Sequence, residues 1–153
     1  MSLRNKIDED YKQTIKNKDK HKTDTLRLIR SAIKDKDISS RTVEKKEGIN
    51  DTEILSLLLN LIKQRKDSIE QFQKAKRDDL IKNEQNEIEV IKEYLPLQKS
   101  EDETTKIIVE IIKSNNLESI KDMGKLMSII KNNYAGEVDM GLVGKIAKSK
   151  LIN

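Results

Sequence analysis

Leu3, Ile7, Tyr11 and Ile15 recur every four residues, which lays them along one slowly drifting stripe and predicts a helix over Leu3–Lys16. After the polar segment NKDKHKTD, the residues Leu26, Ile29 and Ile33, with Leu28 and Ala32, predict a second helix ending near Asp37. A polar loop, ISSRTVEKKEGIN, follows. From Asp51, read as the N-cap, to Ala75, the positions Leu55, Leu58, Leu59, Ile62, Ile69 and Phe72 keep a three-and-four spacing over about seven turns. Arg65 interrupts that stripe. A guanidinium there needs a carboxylate, and Glu84 or Glu87 is expected to supply it, because an antiparallel hairpin brings the next helix alongside.

That fourth helix opens at Asp78 and Asp79, which suit its first turn through capping and the helix dipole, and Leu80, Ile81, Ile88 and Ile91 carry it to Tyr94. Pro96 disfavours helix at Leu95, and Ser100 with Glu103 forms an S-x-x-E capping box that starts another. The boundary between domains is therefore expected here, giving residues 1–97 and 98–153. Beyond it, three short helices are expected over about Glu101–Asn115, Asp122–Asn133 and Asp139–Ile152, sharing a core of Ile107, Ile111, Leu126, Ile130, Leu142, Val143 and Ile146. The fold class is all-α: a four-helix N-terminal domain followed by a small three-helix tail domain.

Composition narrows the chemistry. Charged residues make up 38% of the 153 and aromatics 3%, with one proline and five glycines, so the core must come from Leu, Ile and Val on amphipathic helices. There is no cysteine, and His21 is the only histidine. Disulfides, thiol catalysis and the usual zinc sites are thereby excluded. His21 lies among lysines in a polar loop without a partner for base or ligand work. Ser68 and Ser149 lie on helix surfaces with no adjacent base, and no G-x-S-x-G elbow, phosphate loop or G-x-G-x-x-G turn occurs. The run Glu101-Asp102-Glu103 reads as a helix first turn that favours negative charge rather than a metal site. No catalytic residue, metal or cofactor is expected. Neither a signal peptide nor an apolar run of membrane-spanning length is present, so the protein is expected to be cytoplasmic, or organellar after processing, and not to engage a membrane.

The formal charge of +4 is uneven: Met1–Asn50 holds 14 basic and 9 acidic residues, whereas Ser100–Asn153 holds 8 of each. An N-terminal excess of this size can attract phosphates. Another pattern marks the end of the chain, MGKLMSIIKNNYAGEVDMGLVGKIAKSKL, with four of the five glycines. Gly136 follows Tyr134-Ala135 where a helix should stop, and suits the left-handed position of a C-terminal cap. Gly124, Gly141 and Gly144 lie in or at the start of helices, each costing about 1 kcal/mol against alanine. Two compensations are open: close packing by a neighbouring helix, or close approach of a phosphate near a helix N-terminus. Around them stand Lys125, Lys131, Asn132, Asn133, Tyr134, Lys145 and Lys148. Lysines neutralise phosphates, asparagines bond to sugar and base edges, and a tyrosine stacks on an unpaired base, so these seven are the candidate nucleic-acid-binding residues. An ordinary solvated helix face is the alternative.

The run IKQRKDSIEQFQKAKRDDLIKNEQNEIEVIKEYLP resembles the signature of the YqeY family, through Lys63-Gln64-Arg65, Ser68, Phe72, Lys74-Ala75, Arg77-Asp78, Leu80, Glu84, Glu87 and Tyr94-Leu95-Pro96. KNKDK near the start and MGKLM near the end fit as well. The family is similar to the helical tail of the B subunit of the tRNA-dependent amidotransferase, a tail that takes part in holding tRNA. The resemblance implies a partner in tRNA and in amidotransferase or aminoacyl-tRNA machinery, and a family grouping with carbon-nitrogen ligases that use glutamine as amido donor. Amide transfer in that complex relies on an amidase subunit and a catalytic cradle, neither of which this chain resembles. Two positions depart from the family: Lys76 stands where glycine is frequent, which should force the turn between helices three and four to adjust, and Ser128 replaces a second glycine after MGKLM. The expected function is that of a non-catalytic tRNA-binding or amidotransferase-accessory protein. A freestanding ligase-like enzyme acting on aminoacyl-tRNA and a helical protein-interaction module without RNA are the alternatives.

Overall fold

A computed structural model describes residues 2–41 and 47–151. The described residues are helical without strands, and their contacts divide the chain into two compact units, Met1–Leu95 and Pro96–Asn153.

The first unit contains α1 (Leu3–Lys16), α2 (Lys20–Ser39), α3 (Asp51–Lys74) and α4 (Asp78–Lys92). Each start has a local cause. Ser2 and Asp19 accept backbone N–H groups of Asn5 and Lys22 and so cap α1 and α2. The N-cap of α3 is Asn50 rather than Asp51: its side chain accepts from Glu53 N while Glu53 returns to Asn50 N, a reciprocal box. Asp51 is free for another task and accepts the N–H of Leu3 at 3.2 Å. At α4 the capping expected of Asp78 and Asp79 is not made, because the N-cap is Arg77, which forms no side-chain cap bond. Both aspartates suit the dipole of the first turn, and Asp79 also accepts two hydrogen bonds from the Arg77 guanidinium, at 3.2 and 3.1 Å. The helix stops at Lys92, short of Tyr94, where tight turns lead into Pro96. Of the polar loop after α2, residues 42–46 lie outside the described residues.

The turn between α3 and α4 does not adjust to its lysine. Lys76 itself takes the left-handed conformation, φ 56°, which a side chain makes unfavourable by roughly 1–2 kcal/mol. The expectation of altered geometry fails because neighbouring caps hold the turn: Ala75, Lys76 and Arg77 each donate N–H back to the last turn of α3.

Ile7, Leu26, Ile29, Ile54, Leu58 and Ile91 are fully buried at the centre of this unit. The stripe on α1 drifts by about 40° every four residues, so by its fourth member it has left the core. Ile15 is 49% exposed accordingly, and Thr14 is buried in its place. On α3 the innermost line is Ile54, Leu58 and Ile62, with Leu55, Leu59, Ile69 and Phe72 half-buried beside it. Tyr94 is buried at the end of α4, and its hydroxyl donates to Asp10 Oδ2 of α1 at 2.6 Å.

The second unit contains α5 (Glu101–Ser114), a 3₁₀ turn (Ile120–Asp122), α6 (Met123–Asn133) and α7 (Met140–Lys150), the three helices packing pairwise. The capping box of Ser100 and Glu103 forms in both directions. Asp122 lies in the 3₁₀ turn ahead of α6, and Asp139 is the N-cap of α7 rather than its first residue. The expected end at Ile152 lies outside the described residues. The core comprises Ile108, Leu117, Leu126, Ile130, Val138, Val143, Ala147 and Leu151. Ile111 and Ile146 pack on it as expected, but Ile108 replaces Ile107 because α5 turns the line of Thr104 and Ile108 inward. Leu142 is only half-buried, its helix presenting Val143 and Ala147 instead. Ahead of α5, Lys99 donates its N–H to Glu137 O at 2.7 Å and the Gln98 amide donates to Gly136 O.

Candidate nucleic-acid interface

The seven candidate residues all lie in the second unit, on two helices and one cap. On α6, Lys125 and Asn132 are seven residues apart and therefore share a side, opposite the buried Leu126 and Ile130. Gly124 and Lys131 have the same spacing and form the adjoining flank. On α7, Gly141, Lys145 and Lys148 follow one another at four and three residues, on the side away from Val143 and Ala147. Lys125, Lys131, Lys145 and Lys148 are all exposed, and none forms an ion pair with a described residue.

Asn133 and Tyr134 are set apart from the lysines. They border a cavity of about 440 Å³ between α5 and α6, whose apolar lining includes Ile107, Ile111 and Ile129. Tyr134 is the C-cap of α6 and its half-buried ring packs on the tail core, so only the part lining the groove is presented outward. Sequence reasoning missed this groove. Its signal was the pair Ile107 and Ile129, apolar residues one step off the buried lines through Ile108 and Ile130.

The glycines separate by role. Gly136 has φ 75° and is the left-handed residue after α6, as expected. Of the two compensations open for Gly124 and Gly144, close packing by a neighbouring helix does not occur: a Cβ built on either meets nothing within 4 Å. No neighbouring helix comes near enough to require their smallness. At Gly141 a Cβ meets Asp139 Oδ1 at 3.2 Å, so that glycine accommodates the cap of its own helix.

The two helix N-termini are also unequal. Asp139 accepts from Gly141 N at 2.9 Å and Leu142 N at 3.4 Å, so a carboxylate already holds the start of α7, where a phosphate would be repelled. Asp122 is turned away from α6, accepting from Glu118 N at 2.8 Å and Ser119 N at 3.3 Å. Those N–H groups, with help from Lys125, hold its carboxyl below the usual range. Asp122 gives α6 no side-chain cap, and Gly124 leaves the backbone of its first turn open.

Elsewhere the guanidinium groups are engaged. Among the described residues, five of the six arginines are paired with carboxylates: Arg4 with Asp37, Arg27 with Asp24, Arg30 with Asp8, Arg65 with Glu87 and Arg77 with Asp79. The second unit contains no arginine, so any anion it binds is met by lysines, as point charges rather than bidentate forks. His21 is exposed in α2, and its carbonyl accepts the hydroxyl of Thr25. Among the described residues no group of three or more His, Cys, Asp or Glu is placed to hold a metal ion, and no helix is long and apolar enough to cross a membrane.

The family model described as Yqey-like protein matches residues 4–151. Among curated proteins, the chain is 33% identical over 105 residues to "Altered inheritance of mitochondria protein 41, mitochondrial" of Kluyveromyces lactis, covering 67% of this chain and 55% of that protein. The Lachancea thermotolerans protein of the same name is 34% identical over 125 residues, covering 78% of this chain and 65% of its own. The Saccharomyces cerevisiae protein is 38% identical over 86 residues, or 56% of this chain and 44% of that protein. The chain thus spans less than two-thirds of the length of these relatives.

Proposed function

The chain belongs to the YqeY family, and on that premise we propose that it is a non-catalytic tRNA-binding protein serving amidotransferase or aminoacyl-tRNA machinery. The observation that carries this reading is the pairing of unengaged lysines with open glycines on α6 and α7. Lys125, Lys131, Lys145 and Lys148 have no carboxylate partner among the described residues, the backbone of Gly124 is exposed, and at both Gly124 and the half-buried Gly144 an added Cβ would meet nothing within 4 Å. Such a surface lets a sugar-phosphate chain come close and neutralises it without reading sequence. The resemblance to the tail of a tRNA-handling subunit supplies the class of nucleic acid. Its catalytic counterpart is not proposed for this chain, because no nucleophile with a base stands among the candidate residues. We place the protein in the cytoplasm or, as the names of its fungal relatives say of them, in the mitochondrion.

Binding is weak and salt-dependent on this reading: neutralising about four phosphates gives a log-log salt slope near −3 to −4. The test replaces Lys125, Lys131 and Lys145 together with alanine and measures tRNA affinity across a salt series, beside a control that removes Lys16, Lys18 and Lys20. The tail variant should bind more weakly with a flatter slope. Loss of binding in the N-terminal variant with retention in the tail variant overturns the site. No binding by the unaltered protein at low salt overturns the RNA reading and leaves a helical interaction module.

A further inference from the structure

We propose that a cleft between α1 and α2, remote in sequence from the tail lysines, is a binding site for a phosphoryl group. The cleft has a volume of about 340 Å³ and is lined by Arg4, Arg27, Arg30 and Lys34, with Asp8 and Asp37 as its carboxylates and Ser31 and Ile33 between them. Arg4 is paired with Asp37, Arg30 with Asp8, and Arg27 with Asp24 beside the cleft, so after these pairs are made the ammonium of Lys34 is the charge left over.

The arginines differ in what they have left to give. Arg4 is spent: its two terminal nitrogens each donate to an oxygen of Asp37 at 2.8 Å, and one also donates to Ile49 O at 3.1 Å. That pairing, against the opposing effect of burial, holds the Asp37 carboxyl below its usual range. It forms one wall of the cleft. Arg30 is positioned but not consumed. Its guanidinium carbon lies 4.3 Å from the centre of the Tyr11 ring, and its Nε donates to Asp8 Oδ1 at 2.9 Å. Stacking and that single bond fix the plane of the group, while its two terminal nitrogens make no hydrogen bond to a described residue.

On the same stretch of α2, one turn onward, Lys34 has no ion pair with a described residue, and the hydroxyl of Ser31 between them donates to none. Arg27, one turn earlier, lies with its Nε 3.4 Å from the Tyr11 hydroxyl and its guanidinium 6.0 Å from the same ring centre. A planar fork, an ammonium and a hydroxyl thus line one cavity from successive turns of a helix. Two oxygens of a carboxylate would satisfy the fork and leave the others idle. The several oxygens of a phosphoryl group engage all three, with the guanidinium already oriented. The phosphoryl group can belong to a small phosphate compound or to a nucleic-acid backbone.

Full-length protein labelled with ¹⁵N is titrated with inorganic pyrophosphate at low ionic strength, and separately with a short single-stranded RNA. Saturable shifts centred on the amides of residues 30–34 are expected with pyrophosphate. Lys34→Gln, which breaks no ion pair among the described residues, should weaken that binding about fivefold, the scale of one solvent-exposed ion pair. Lys125→Gln with Lys145→Gln should leave it unchanged. Displacement of pyrophosphate by the RNA assigns the site to a polymer backbone, and failure to displace it assigns the site to small phosphates; both uphold the cleft. Absence of saturable shifts in α2, saturable shifts confined to the tail, or full affinity in Lys34→Gln overturns it.

Discussion

Arg65 on α3 donates its Nε–H to Glu87 on α4 across 2.7 Å, and both side chains are largely shielded, at 12% and 16% exposure. A terminal nitrogen of the same guanidinium reaches back to Leu61 O at 3.2 Å. The break in the apolar stripe of α3 is therefore where the α3–α4 hairpin is set in register, since the pair forms only when these two positions meet.

Removing Glu87 takes from the shielded Arg65 the carboxylate it bonds to and leaves only the nearby Glu84 to offset its charge. Glu87→Ala should destabilise the protein by about 3 kcal/mol, whereas replacing the pair together, Arg65→Met with Glu87→Leu, should be nearly neutral. Denaturant unfolding of both singles and the double closes the cycle. A double variant as unstable as Glu87→Ala would show that the pair is not the source of the loss.

Glu84 lies near this pair with the opposite outcome. Burial first, then the charge of Glu87, raise its pKa above the usual glutamate range, and Arg65 offsets this only in part. The folded state holds the Glu84 proton more tightly than the unfolded state does. Its contribution is therefore fully favourable below the ordinary glutamate pKa and is lost as pH rises through the folded value. Glu84→Gln should raise the melting temperature at pH 7 and have little effect near pH 3. A gain at both pH values would point to a cause other than titration.

Lys76 is held at φ 56° at the C-terminal end of α3. Lys76→Gly should stabilise the protein by about 1 kcal/mol, because glycine enters this conformation without the steric penalty. The denaturant midpoint should rise with no change in slope.

The tail glycines make opposing demands on stability and binding. Gly124→Ala and Gly144→Ala should each stabilise α6 or α7, by up to about 1 kcal/mol, since the added methyl meets nothing within 4 Å and improves helix propensity. Both should weaken tRNA binding on the proposed reading. Gly136→Ala should destabilise, because φ 75° strains any side chain. Thermal melts and tRNA titrations of the three variants separate the two effects, and alanine variants of Gly124 and Gly144 that bind tRNA as the parent does would remove the glycines from the interface.

Helix placement was legible in the sequence where a local signal exists. Ser100 with Glu103, Pro96, Gly136 and the partner of Arg65 each depend on chemistry between near neighbours or on one obvious mismatch. What was not legible is rotation. A spacing of four cannot say where its drift leaves the core, so Ile15 and Ile107 were placed inward although Thr14 and Ile108 are the buried residues. At the candidate site, the residue types were readable but their partners were not. That Asp139 caps α7 while Asp122 turns from α6, and that Gly124 and Gly144 face open space, are relations in three dimensions with no trace in spacing. The Arg30 and Tyr11 stack was missed because it joins two helices through residues that separately read as charge and stripe.

The bonds from Gln98 and Lys99 to the loop after α6 act as a clasp. They join positions 38 apart in the chain, so that α5, the 3₁₀ turn and α6 together form a ring closed without covalent bonds. Closing so long a loop is entropically unfavourable, and the latch can persist only while the helices inside it are packed. The amide of Lys99, in a stretch without regular secondary structure, should therefore exchange with solvent as slowly as the tail helices rather than as quickly as a linker. It reports on the integrity of the ring from outside every helix, and its exchange rate should rise whenever the loop bearing Gly136 opens.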